Sequence, residues 1–146
     1  INNIFYIMGS SNSQMKKVNF EDLQEIQHSN NSILINTLLA NEQDCLIRKT
    51  INFKDEETII NNLLNGKTKA KIFIYGKNTN DESIYKKYNQ LLQLGFQEIY
   101  VYPGGLFEWL CLQDIYGEES FPTTKKELDI LKYKPRSHLN VKYLGS

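Results

Sequence analysis

Two short runs, Ile72-Phe73-Ile74-Tyr75 and Ile99-Tyr100-Val101-Tyr102, constrain the fold more than anything else in this chain. Each is continuous, apolar, and rich in β-branched or aromatic side chains, which is the pattern of a strand covered on both faces. Between them Ile84, Tyr88, Leu91 and Leu92 recur at helical spacing, and Gly95 stands where such a helix would end. A strand, a helix and a strand in that order imply a right-handed crossover onto a parallel sheet. The expectation is a doubly wound α/β domain with a central, mainly parallel sheet flanked by helices.

The flanking segments extend the same alternation. Lys16-Lys17-Val18 suits a short edge strand, and Asn19 suits the N-cap of a helix over 20–27 that turns Phe20, Leu23 and Ile26 inward. Ile33-Leu34-Ile35 reads as a further buried strand. The stretch 36–54 is looser, with a strand expected near 46–51. Residues 55–64 read as a helix with Ile59, Ile60, Leu63 and Leu64 on one face, stopped at Asn65-Gly66. Pro103-Gly104-Gly105 turns the chain into a helix over 106–115, with Trp109 packed beneath the turn. Thr124-Lys125-Lys126-Glu127 has the form of a capping box, so a last short helix is expected there. At 146 residues the chain is sized for one domain. The expected division is a flexible segment over 1–15, the domain over 16–120, and a C-terminal helix with a basic tail over 121–146.

Charge and cysteine usage exclude several function classes. The formal net charge is zero, so no global field argues for nucleic acid or for a membrane surface. Residues 121–146 nevertheless hold six Lys or Arg against two Asp or Glu, balanced by an acidic surplus over 1–120. That tail either solvates the surface or meets an acidic partner. Cys45 and Cys111 are the only cysteines, far apart and without a CxxC spacing. This rules out a disulfide framework and any usual zinc site, and it fits a reducing, cytoplasmic compartment. No metal and no cofactor is expected. Met8-Gly9-Ser10-Ser11-Asn12-Ser13 matches the acylation pattern Met-Gly-x-x-x-Ser, so Gly9 is a candidate myristoylation site if Met8 is the initiator. Membrane association is expected only through that modification.

In a doubly wound sheet, ligands sit outside the carboxyl ends of the strands. That rule points to the loop after Tyr75, Gly76-Lys77-Asn78-Thr79-Asn80-Asp81-Glu82. Two readings of Gly76 stay open: a tight turn that needs glycine's φ freedom, or a preserved cradle of backbone amides that recognises an anion without reacting. The two carboxylates in the loop favour the former. Cys111 sits among apolar neighbours on a predicted helix and reads as a buried, inert thiol, with a nucleophilic role as the alternative. Cys45 follows Glu42 and Asp44, whose charge would raise its pKa. His28 and His138 read as surface residues. Tyr75, Tyr85, Tyr88, Tyr100, Tyr102, Phe107 and Tyr116 supply either core packing or an exposed aromatic patch.

The run 72–109 resembles the second half of a rhodanese domain. In that family a strand enters a loop that opens with cysteine, then come a helix, a Gly-Phe pair, a second strand, a glycine pair and a tryptophan. Here the corresponding parts are Ile72-Phe73-Ile74-Tyr75, the loop 76–82, the helix over 83–94, Gly95-Phe96, Ile99-Tyr100-Val101-Tyr102, Gly104-Gly105 and Trp109. The first half matches less well: Leu34-Ile35-Asn36-Thr37-Leu38 stands where the family has Leu-Ile-Asp-Val-Arg. The resemblance implies a sulfurtransferase fold and, at the first loop position, a thiolate held by backbone amides and able to carry a persulfide. This chain has Gly76 at that position. It also lacks the loop arginine with which the phosphatases of this fold hold a phosphoryl group. The implied function is that of a cysteine-less relative, a protein-interaction or regulatory module whose partner is another protein. The alternative is a sulfurtransferase or phosphatase-like enzyme that uses another residue. The loop rim and the basic segment 125–142 are the expected contact surfaces.

Overall fold

The computed structural model describes residues 15–66 and 69–139. Three strands, β1 (Ser32–Asn36), β2 (Lys71–Tyr75) and β3 (Ile99–Tyr102), form a parallel sheet in the order β1-β2-β3. Among the described residues four helices lie around it: α1 (Phe20–Ile26), α2 (Glu56–Asn65), α3 (Ser83–Gln93) and α4 (Gly105–Tyr116). The register pairs Ile33 with Ile72 and Ile35 with Ile74, and on the other side of β2 pairs Ile74 with Val101 and Tyr75 with Tyr102.

Because successive strand residues point to opposite faces, the two apolar runs serve two cores. Leu34, Phe73, Tyr75 and Tyr102 meet Leu23 and Ile26 of α1 and Leu106, Trp109 and Leu110 of α4. Ile35, Ile72, Ile74, Ile99 and Val101 meet Ile60 of α2 and Ile84, Tyr88 and Leu91 of α3. Covering both faces is what a parallel sheet requires, and it explains why the strands are continuously apolar.

Local chemistry sets the helix ends. The Asn19 Oδ1 accepts the amides of Glu21 and Asp22 at 2.9 and 3.3 Å, and the Asp22 carboxylate accepts the amide of Asn19 at 3.0 Å. This is a complete capping box. At the end of α3, the Gly95 amide donates to the Leu92 carbonyl and the Phe96 amide to that of Leu91. Gly95 adopts φ +102, so glycine closes the helix as its position suggested. At the start of α4, Gly105 has φ +69, and a Cβ there would lie 2.7 Å from the Gly76 carbonyl oxygen. The turn needs glycine for both conformation and space.

Three local expectations fail in the folded chain. The segment 16–18 does pair along β3, through the Lys17–Val101 bridge, but no strand forms over 46–51. There the chain turns, with Lys49 at φ +76, and only Ile47 and Thr50 make single bridges, to Thr123 and Leu34. No helix starts at Thr124. Its hydroxyl accepts the Leu46 amide at 3.0 Å and donates to the Asp44 carbonyl at 3.3 Å, so it ties two segments together instead of capping. Among its described residues the C-terminal segment has only a 3-10 turn, Ile130–Tyr133. Finally, Leu64 and Leu92 lie at the surface, 41% and 39% exposed. In α3 the positions 84, 88 and 91 already complete the inward stripe, and the next residue is rotated about 100° from it.

At the edges of the described residues, Met15 is buried in the core instead of belonging to a loose tail. Gly9 and the rest of its acylation pattern lie outside the described residues. Among those described, no helix is long and apolar enough to cross a membrane.

Candidate functional site

The loop 76–82 leaves the end of β2, the central strand, and its route is fixed by α4 on one side and α3 on the other. The Gly76 and Lys77 carbonyls accept the amides of Leu106 and Phe107, both at 2.9 Å, so the loop satisfies the otherwise unpaired first turn of α4. Asn78 is buried. Its Oδ1 accepts the Asn80 amide at 2.9 Å, and its Nδ2 donates to the Tyr133 carbonyl at 2.8 Å, pinning the C-terminal 3-10 turn to the loop. Thr79, Asn80 and Glu82 are exposed.

The centre of the loop is filled by Asp81. One carboxylate oxygen accepts the Lys77 amide at 2.9 Å. The other accepts the Ser83 amide at 3.0 Å and the Ser83 hydroxyl at 2.5 Å. That hydroxyl lies 2.7 Å from the Thr37 hydroxyl at the end of β1. The loop's inward amides and the start of α3 therefore already hold an anion, supplied by the chain itself. Gly76 follows from this. Its φ is not positive, so the tight-turn explanation fails, and the need is for space. A Cβ at Gly76 would lie 2.5 Å from the Asp81 Oδ2, 2.9 Å from its Cγ and 3.0 Å from the Ile84 Cγ2. The sequence showed two acidic groups in the loop but not that one of them turns inward.

Outside this plug lies an open cleft of about 400 Å³, lined by Leu38, Leu39, Glu42, Lys77, Lys134 and Arg136 among others. Lys77 and Glu42 form an ion pair at 2.6 Å across its floor. The buried Asn36 supports the β1 side: its Oδ1 accepts the Leu38 amide at 3.0 Å and the Gln43 side-chain amide at 2.8 Å. Sequence spacing does not bring residues 134 and 136 to this place. The contact from Asn78 to Tyr133 does.

Neither cysteine lines the cleft. Cys45 is buried and donates to the Lys125 carbonyl at 3.2 Å. Burial raises its pKa most, and among acidic groups Glu127 adds to the rise, not the sequence neighbours Glu42 and Asp44. Cys111, expected to be buried, is half-buried on α4 and also has a raised pKa, from burial first and then from Asp114 and Glu108. Both thiols are therefore held away from the thiolate form that nucleophilic chemistry needs. His28 and His138 are exposed. Of the aromatic group, Tyr75, Tyr88 and Tyr102 are core residues and Tyr116 is 66% exposed. Among the described residues no cluster of His, Cys, Asp and Glu has a metal-holding arrangement.

A parallel sheet covered on both faces, with a loop at the end of its central strand running into a helix, agrees with comparison to known proteins. The family model described as "Rhodanese-like domain" matches residues 19–111, well over half of the chain. The chain belongs to the rhodanese-like family. Solved structures similar to this rhodanese-like domain include the BH2092 protein of Bacillus halodurans, at TM-score 0.58 and 19% identity, covering 99% of each chain. A full-length protein of Lactobacillus plantarum aligns at TM-score 0.55 and 14% identity, over 77% of this chain and 95% of that one. The single-domain sulfurtransferase RDL2 of Saccharomyces cerevisiae aligns at TM-score 0.50 and 16% identity, over 70% of this chain and 94% of that one. Identities this low establish a shared fold. No curated protein sequence matches the rhodanese-like domain significantly.

Proposed function

We propose that this rhodanese-like domain is non-catalytic and acts as a protein-interaction or regulatory module. The observation that supports it most is the Asp81 carboxylate standing in the side-chain space of Gly76. Sulfur transfer in this family needs a thiolate inside the cradle of loop amides, where it becomes a persulfide and is regenerated. Here two of those amides are engaged by a fixed negative charge. A thiosulfate or a persulfide entering the same cradle would meet that charge at close range in a partly buried site, where like charges repel strongly. The two cysteines lie elsewhere, each with its thiol held protonated. Membrane tethering belongs to this reading only through Gly9, and mass spectrometry of the N-terminus in the native cell tests it.

The deciding assay is cyanide-dependent release of thiocyanate, with thiosulfate or mercaptopyruvate as donor. The purified chain is expected to show the background rate, unchanged in the Cys45→Ser and Cys111→Ser variants. A rate well above background that disappears in either variant would establish the other reading, a sulfurtransferase working through a displaced cysteine.

A further inference from the structure

The cleft beside the plugged loop carries more than the absence of chemistry. We infer that it takes an acidic peptide segment of a partner protein, its carboxylate held by Lys134 and Arg136 and an apolar neighbour laid on Leu38 and Leu39. This rests on the interaction-module reading and names the chemistry of the partner at that same site.

The charges decide it. Five ionisable side chains line the cleft: Glu42, Lys77, Asp81, Lys134 and Arg136. Both acids are spent internally, Glu42 on the Lys77 ammonium at 2.6 Å and Asp81 on the amides of Lys77 and Ser83. Lys134 and Arg136 are exposed and make no ion pair among the described residues. The wall that a ligand meets is therefore positive, although the chain as a whole is neutral.

The backbone presents these two cations together. Lys134 precedes Pro135 and is extended, at φ −62 and ψ 153, as a residue before proline prefers. The chain runs on through Pro135, and both Lys134 and Arg136 line the cleft. The start of that run is anchored by the buried Tyr133, whose carbonyl accepts from Asn78. An ammonium and a guanidinium lining one cleft suit a carboxylate, which arginine binds through two parallel hydrogen bonds. Leu38 and Leu39 add an apolar surface beside it, Leu39 being 66% exposed. The cleft volume of about 400 Å³ suits a few side chains, in the range of ordinary binding pockets.

The test is selection of a random displayed-peptide library on the purified full chain, followed by affinity measurement with the selected peptides. The expected result is enrichment of peptides with Asp or Glu beside an apolar residue. In the double variant Lys134→Glu/Arg136→Glu, affinity falls about tenfold or more. Thermal melting of that variant stays unchanged, because both side chains are exposed. The inference is overturned by selected peptides without acidic bias, by no enrichment at all, or by affinity that the double variant leaves intact. It is equally overturned if the chain binds phosphatidylserine vesicles through these two residues but ignores the peptides. Thiocyanate release keeps the two failures apart. An active enzyme removes the module reading, whereas an inactive protein that selects no acidic peptide removes only this inference.

Discussion

At the scale of single residues, the molecule turns on how Gly76 and Asp81 share one volume. A methyl group at Gly76 must displace a carboxylate tied down by three hydrogen bonds, so it cannot swing aside without losing them. Gly76→Ala is expected to cost about 1–3 kcal/mol in chemical denaturation, the usual range for overpacking. Asp81→Ala is also expected to cost about 1–3 kcal/mol, because it leaves the Lys77 and Ser83 amides without their acceptor. In the double variant the methyl group has room, so the two losses should fall short of adding by about 1 kcal/mol. Strict additivity would mean that the carboxylate does not occupy that space. Composition already showed an acidic loop with glycine at its first position. It could not show that these two facts have one cause, since a side chain four residues away turns inward only once the loop is curled.

At the scale of elements, the join between β2, its loop and α4 is a place of close backbone approach. Gly105 touches the loop backbone on three atoms within 3 Å of where a Cβ would sit, and it does so at a positive φ. Backbone atoms cannot rotate away as a side-chain end can. Gly105→Ala is therefore expected to lower stability by about 3 kcal/mol, combining left-handed strain with the steric clash. A loss below about 0.5 kcal/mol would show that loop and helix are not held this close. Elements with strong local signals stand where the sequence places them: the N-cap at Asn19, the Gly95 terminus, and β3 with the bounds of its apolar run. The capping pattern at Thr124 failed because the same hydroxyl found partners on residues 44 and 46, distant in sequence. A cap stabilises by about 1 kcal/mol, which a pair of long-range bonds can outweigh.

At the scale of the whole molecule, residues 121–133 complete one of the two cores. Phe121 is 3% exposed, with ring centroids 5.0 Å from Trp109 and 5.6 Å from Phe20. The Trp109 indole donates to the Pro122 carbonyl at 3.1 Å, and Gln113 donates to that of Phe121 at 2.8 Å. Phe121→Ala is expected to cost about 3–5 kcal/mol, the range for emptying an aromatic core site. Circular dichroism melting would show it as a large drop in Tm, and a drop of only a degree or two would mean that this segment rides on the surface.

The sequence alone determined the layered architecture and the direction of its sheet, because hydrophobic period and helix-end chemistry are local properties that each stretch carries with it. It also pointed to a candidate site at the end of the central strand, by the rule that connects strand ends with ligands. Tertiary structure alone decided what fills that site and what borders it. Asp81 enters the cradle, and the contact from Asn78 to Tyr133 delivers Lys134 and Arg136 to the rim, by contacts between segments whose distance in space no pattern along the chain encodes.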